Sequence, residues 1–306
     1  MNGVLVIDKP KGWTSHDVVA RVRKVLKVKK AGHGGTLDPL ATGVLPIYLN
    51  EATKLVPFNL EGTKEYVATL KLGQETDTLD ADGEVVAETR EFFFTREKVE
   101  ESLKPFRGTI RQRPPVFSAI KKGGVPAYRK ARAGEKPLLA EREAVIGSLE
   151  LRAVSLPYAT IAVTCGRGTY IRSLAADIGR TLGCGAHVFE LRRLRSGLFT
   201  LEQAIPMEEF ANRAERGTIE EKVLLLKDSV DLAATIQIGP ETAEKIRQGK
   251  PLLFEELAGS ERGRLRKGQR VGLCEGPGDL LAIAEAQMEE APGTPPALRI
   301  LRVFHP

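Results

Sequence analysis

Cysteine is scarce in this chain of 306 residues, which has only three. Cys165, Cys184 and Cys274 are odd in number and widely spaced, and no Cys-x-x-Cys pair occurs. A disulfide framework and a cysteine-rich zinc site are thereby excluded, and a reducing cytoplasm is the expected setting. The four histidines, at positions 16, 33, 187 and 305, show no ligand spacing and complete no Ser-His-Asp order. No metal is expected. Long apolar runs are missing as well. The opening "MNGVLVIDKPKGW" holds one five-residue apolar run, too short for the hydrophobic region of a signal peptide or for a membrane span. No membrane partner is expected, and there is neither a repeat nor a low-complexity tract.

Nucleotide-cofactor motifs are absent too. The glycine-rich stretch Ala31–Gly43, "AGHGGTLDPLATG", lacks the Lys-Ser/Thr pair of a P-loop and precedes a strand pattern rather than a helix. It also lacks the Gly-x-Gly-x-x-Gly fingerprint of dinucleotide sites. A calcium loop at "TDTLDADGEV" fails, because alignment on Asp80, Asp82 and Gly83 puts Thr78 and Thr89 where carboxylates are needed. A hairpin turn ending at Asp82-Gly83, with Asp80 free to hydrogen-bond, is the simpler reading. No cofactor is expected.

What remains is an ordinary globular composition, 42% hydrophobic and 28% charged, long enough for about two domains. The net charge is +6, and residues 233–306 hold ten basic against ten acidic residues, so the excess lies wholly in 1–232. Within it, Lys104–Lys136 has ten basic residues and one acid, Glu135, interleaved with Phe106, Phe117 and Tyr128. A solvated face is the bland reading of such a run. The aromatic interleaving favours a nucleic-acid backbone with bases stacked nearby.

Periodicity predicts a strand at Gly3–Ile7, then a helix capped by Thr14 or Ser15 with Val18, Val22, Val25 and Leu26 on one face. A strand is expected at Val44–Leu49, and "EYVATLKLG" alternates with Tyr66, Ala68, Leu70 and Leu72 on one side. Helices are expected at Arg96–Leu103, Tyr170–Leu182, Met207–Arg216 and Glu220–Val230, with "VSLPYATIAVTCG" strand-rich. Beyond about Thr235 a short helix, two strands joined by a Gly-Pro-Gly turn and a final strand form a β-rich module of roughly 70 residues. The boundary falls near 232, and the larger part is mixed α+β, without the regular alternation of a doubly wound sheet.

Three polar residues stand in apolar or glycine-rich surroundings: Asp38, Tyr66 and Arg172. Arg172 lies in the first turn of an apolar helix, where a cation opposes the helix dipole unless a carboxylate answers it. It is either a snorkelling surface residue or the partner that keeps Asp38 ionised by lowering its pKa. His33, five residues before Asp38, is either structural or part of the same site.

The stretch "GHGGTLDPLATGVLPI" resembles the catalytic-aspartate motif of the bacterial tRNA pseudouridine-55 synthase family. So, in the family's order, do "VLVIDKPKGWTSHDVV", "KEYVATLKLGQETDTLDADGEV", "RQRPPVFSAIKKGGVPAYRKARAGE", "CGRGTYIRSLAADIGRTLGCGAHVFELRRLRSG" and "FTLEQA", together covering most of residues 3–205. The family often has Thr where this loop has Gly34. The resemblance implies a fold: a mixed, largely antiparallel sheet with flanking helices over 1–232, then a small β-barrel-like PUA module over 233–306. It implies isomerisation of one uridine in the T loop of tRNA to pseudouridine, by base flipping, glycosidic cleavage and carbon–carbon bond formation, with no cofactor, metal or guide RNA. Asp38 would be the nucleophile, at the ribose anomeric carbon or at uracil C6, or else would assist elimination to a glycal. Arg172 would pair with it, and Tyr66 would stack on the uracil and help remove the C5 proton. Leu191 would wall the pocket, His33 would support the flipped loop, Asp80 and Lys9 would line the site, and Tyr170 would contact substrate. The basic segment with Arg192, Arg193 and Arg195 would meet phosphates, the PUA module would meet the acceptor end of the tRNA, and the enzyme would be a cytoplasmic monomer. Two other functions stay in view: a non-catalytic RNA-binding or tRNA-folding protein, and an RNA-guided relative, against which the basic insertion before Lys136 and the bacterial-type blocks argue.

Overall fold

In a computed structural model, the described residues are 1–118, 120–135, 138–250, 252–254, 265–276, 278–287 and 297–305, less the side chains of 121, 122, 126 and 132. They form a mixed α+β structure around an eleven-stranded sheet. Its strands run, in spatial order, Ile205–Pro206, Gly3–Lys9, Thr42–Leu49, Ala186–Ser196, Lys64–Leu72, Tyr158–Cys165, Arg142–Ser155 and Gly108–Gln112, with three short strands branching off. Most pairings are antiparallel. The two parallel ones join Gly3–Lys9 to Ile205–Pro206 and Thr42–Leu49 to Ala186–Ser196.

The expected elements form for the expected reasons. Thr14 caps the helix Ser15–Leu26: its hydroxyl accepts from the Asp17 amide, while the Asp17 carboxylate accepts from the Thr14 amide. Val18 and Val22 on that helix are fully buried. The strand Lys64–Leu72 buries Ala68, Leu70 and Leu72 on one face, and the helix Ile171–Leu182 buries Ile171, Leu174, Ala175 and Ile178. Helices also span Arg96–Leu103 and Met207–Arg216.

Glu220–Val230 is not the single helix expected: two 3-10 turns, Ile219–Lys222 and Lys227–Ser229, flank a short strand. Val223–Leu224 pairs instead with the edge of Gly3–Lys9, and the Asp279 carboxylate accepts from the amides of Leu226 and Lys227. Sheet pairing and a distant cap outcompete local helix propensity here. Asp82-Gly83 does lie in the turn between the strands Gln74–Thr76 and Val85–Glu88.

The C-terminal part has a five-stranded sheet, ordered Ala234–Ile238, Arg270–Glu275, Leu280–Gln287, Ala297–Val303 and Leu252–Leu253, with the helix Pro240–Arg247. Pro277 of the anticipated Gly-Pro-Gly turn lies outside the described residues. The module has its own apolar core around Ile246, Val271, Leu273 and Leu298. A further cluster mixes Val4, Val44 and Tyr48 of the large sheet with Leu280, Ile283 and Phe304. Shared burial of this kind fixes the module against the larger part. No helix among the described residues is long and apolar enough to cross a membrane.

Candidate active site

The loop between the strands Ala31–His33 and Thr42–Leu49 is clamped from several sides. The buried Ser15 hydroxyl donates to the Leu37 carbonyl and accepts from the Leu37 amide, at 3.0 and 2.8 Å. Pro39's carbonyl accepts from the Gly12 amide and from Lys9 Nζ, and Leu37 and Leu40 are buried. Asp38, between these anchors, has one direction left, into a cavity of about 300 Å³. That is at the small end of ligand pockets.

Across the cavity, the Gly166-Arg167-Gly168 turn feeds the helix Ile171–Leu182. Its start is pinned by the Gln112 side-chain amide, which accepts from the Tyr170 amide and donates to the Tyr170 carbonyl. Arg172 is 5% exposed, so the snorkelling reading fails. Its Nη2 donates to Asp38 Oδ1 at 2.9 Å and to the Phe117 carbonyl at 2.9 Å, while Nη1 donates to the Thr78 carbonyl at 2.9 Å and lies 3.5 Å from Asp80 Oδ2. One guanidinium thus ties four chain segments together.

Burial raises the Asp38 pKa above its ordinary value, and the Arg172 charge only partly opposes the shift. The direction is opposite to the expected lowering, although the Asp38 side chain is still 35% exposed at the cavity. Burial also raises the Tyr66 hydroxyl, against the pull of the Arg193 cation.

Asp38, Tyr66, Tyr170, Arg172 and Leu191 all face this one cavity. The other three expected residues are not on its wall. Asp80 sits behind Arg172, where its carboxylate accepts from the Thr78 hydroxyl at 2.6 Å. Lys9 is fully enclosed beneath the loop, donating to the carbonyls of Pro10, Trp13 and Pro39, and burial lowers its pKa to about 8. His33 ends its short strand with a buried Nδ1 that has no hydrogen-bond partner among the described residues, and burial lowers its pKa.

Gly34 and Gly35 are dictated by the chain's own packing and backbone, whereas Gly32 has open space beside it. A Cβ on Gly34 would lie 2.8 Å from the Tyr48 ring, and Gly35 has φ +107°.

Of the arginines on the strand Ala186–Ser196 expected to meet phosphates, Arg193 is enclosed, while Arg192 and Arg195 stay half-exposed beside acidic partners. Arg192 pairs with Asp8 at 2.7 Å, Arg195 with Glu65 at 2.9 Å, and Arg193 is 1% exposed. The Lys104–Lys136 segment is likewise partly neutralised by acids just outside the counted window. Lys104 and Arg107 pair with Glu101 and Glu100, and Arg111 and Arg113 with Glu141, while Lys136 lies outside the described residues.

Lys64 and Ser118, missed in the sequence, also face the cavity, as does Arg193, which was expected to meet phosphates instead. Strand alternation carried the signal for Arg193, because it shares the parity of inward-facing Leu191.

Residues 23–171 match the TruB family pseudouridylate synthase N-terminal domain, and residues 172–233 match the tRNA pseudouridylate synthase B C-terminal domain. The chain is 42% identical over 305 residues to tRNA pseudouridine synthase B of Geobacter sulfurreducens, covering 100% of both sequences. It is 44% identical over 310 residues to that of Syntrophus aciditrophicus, covering 100% of this chain and 99% of the relative. Among solved structures it is similar to the protein in "Crystal Structure of a Cbf5-Nop10-Gar1 Complex", with TM-score 0.74 and 30% identity over 99% of this chain and 85% of that one. It is also similar to a chain in "Structure of H/ACA RNP bound to a substrate RNA containing 2'-deoxyuridine", with TM-score 0.73 and 29% identity at the same coverage, 99% and 85%. A family match over more than half its length, and full-length relatives at this identity, mean that the chain belongs to the TruB family of pseudouridine synthases.

Proposed function

We propose that this enzyme converts uridine 55 in the T loop of tRNA to pseudouridine, with Asp38 as the nucleophile and without a guide RNA. The observation that carries the reading is the Asp38–Arg172 pair at the floor of a cavity that also presents Tyr66 and Leu191. The named relatives supply the substrate class.

A base paired or stacked inside a folded loop has to be extruded to reach such a cavity, at a cost of a few kcal/mol. Tyr66 then stacks on the flipped uracil, Leu191 closes the apolar wall, and Tyr170 flanks the base beside Arg172. Asp38 attacks the ribose anomeric carbon or uracil C6, or assists elimination, while its loop keeps it at one angle. Arg172 opposes the effect of burial on the half-buried Asp38 carboxylate and so favours its ionised form. Lys9 and Asp80 act one layer behind, by fixing the loop and Arg172. His33 supports the loop conformation from its strand. The domain division at 232 and a PUA-type C-terminal module that meets the tRNA acceptor end belong to the same reading, as do a cytoplasmic setting and action as a monomer.

A transcript labelled with tritium at C5 of uridine tests it. Wild type alone should release tritium to water from a tRNA transcript, and not from one in which residue 55 is cytidine. Asp38→Asn should release none. Undiminished release by Asp38→Asn, or release independent of residue 55, sinks the proposal, and retention of all biological activity by that variant would instead mark a tRNA-folding protein.

A further inference from the structure

Arg193 is the largest fully buried side chain among the described residues, and the first question is what satisfies it. Its Nε donates to the Val44 carbonyl at 2.8 Å, and Nη2 donates to the Gly35 carbonyl at 3.1 Å. Both acceptors flank the Asp38 loop. No carboxylate lies within ion-pair distance of it among the described residues, unlike its strand neighbours Arg192 and Arg195. A lone cation in so enclosed a place is expensive unless something nearby uses its field.

The sheet register shows what is near. Arg193 stands directly opposite Tyr66 across the antiparallel pair, and opposite Gly43 on the parallel side. Arg193, Tyr66 and Asp38 line the same cavity. We infer that Arg193 is a positioning residue for proton removal: it fixes the Gly35 end of the Asp38 loop and stabilises the Tyr66 phenolate as that oxygen takes the proton from uracil C5. This rests on the function proposed above.

The step balances. From a Tyr66 phenolate whose own proton has gone to water, the C5–H bond breaks and its electron pair forms the C5=C6 double bond. The C6=N1 pair moves onto N1, which takes a proton from water, and an O–H bond forms on Tyr66, restoring the phenol. The Arg193 cation lies beside the phenol and acts against the rise that burial imposes on it. An oriented cation in a water-poor site is worth more than the same charge in solvent.

Arg193→Lys keeps the charge but cannot reach both carbonyls and the phenol together. In this variant, single-turnover tritium release should fall by roughly 10- to 100-fold. A primary isotope effect with C5-deuterated uridine should grow, and the pH optimum for release should rise. Consumption of 5-fluorouridine tRNA, which has no C5 proton, should change less than threefold. Equal losses on both substrates, or an unchanged isotope effect, would overturn the assignment and leave Arg193 a structural residue. Failure of the function itself is separately visible, as tritium release that survives Asp38→Asn.

Should the lysine variant not fold, the wild type still decides. The slowly exchanging Arg193 Nε–H resonance should shift when 5-fluorouridine tRNA binds, and a resonance that does not move overturns the proposal.

Discussion

Arg172 reaches Asp38 at 2.9 Å from the second residue of a helix, and the same guanidinium donates to the carbonyls of Thr78 and Phe117. A planar fork serves these directions at once, and an ammonium cannot. Arg172→Lys should therefore lower single-turnover activity by roughly 10²-fold, the order expected for a misplaced reacting group. Arg172→Met leaves the buried Asp80 carboxylate, and the half-buried Asp38 carboxylate, without a cation and should also cost about 3–5 kcal/mol of stability. Rapid-quench kinetics and urea unfolding measure the two effects separately, and a fully active lysine variant would contradict the geometric argument.

Asp38 itself should oppose stability near neutral pH. Burial raises its pKa above the ordinary 3.8 despite Arg172. A carboxyl with a raised folded pKa contributes stability that is full below the unfolded value and is lost as pH rises through the folded value. Asp38→Asn lacks that loss. Relative to wild type, the variant should gain stability as pH rises from about 4 towards neutrality, while losing activity. Urea titrations at a series of pH values give the difference, and a flat difference would show that Arg172 cancels the burial effect.

Local signals made much of this architecture legible before any coordinates. Thr14 with Asp17 three residues on, the alternation in Lys64–Leu72 and the helical spacing from Ile171 each report on one element, and each element formed. The pairing of Asp38 with Arg172 was readable because each was locally unfavourable alone. Long-range competition was not readable: Val223–Leu224 pairs, as Leu5↔Val223 and Val4↔Leu224, with a sheet edge 218 and 220 residues away in sequence instead of continuing a helix. Charge counting could not show that Arg193 is enclosed while Arg192 and Arg195 stay half-exposed. Whether an arginine meets a phosphate depends on which acids lie beside it in space, such as Asp8 beside Arg192 and Glu65 beside Arg195.

Gly43 should tolerate no side chain. Its φ is +102°, and an added Cβ would stand 2.1 Å from the Arg193 carbonyl oxygen on the neighbouring strand. The clash is with backbone, so no rotamer relieves it, and the parallel pairing of Thr42–Leu49 with Ala186–Ser196 would have to open. Gly43→Ala is expected to cost about 4 kcal/mol or more, in the exceptional range for single substitutions. Gly32→Ala, with no heavy atom within 4 Å of its added Cβ, is the control and should fold normally. Thermal melts of the two variants side by side test the contrast, and similar melting points would refute it.

Lys9 offers a prediction with the opposite pH sense. Fully enclosed under the Asp38 loop, it has a pKa lowered from 10.5 to about 8, mainly by burial. Between those two values the unfolded chain binds more protons than the folded one, so stability should rise with pH from about 8 to 10.5. Lys9→Met should lose that rise. It should also lose the bonds to the carbonyls of Pro10, Trp13 and Pro39, at a cost of about 1.5–3 kcal/mol for a charged donor, below pH 8 where the amine is protonated. The Pro39 bond is the one that reaches the Asp38 loop, so the variant should show a lower single-turnover rate with tRNA affinity kept. Unfolding titrations across pH 7 to 10.5, with wild type and variant in parallel, should give two curves that diverge as pH rises. Parallel curves would mean that Lys9 titrates in the folded protein as it does in the open chain.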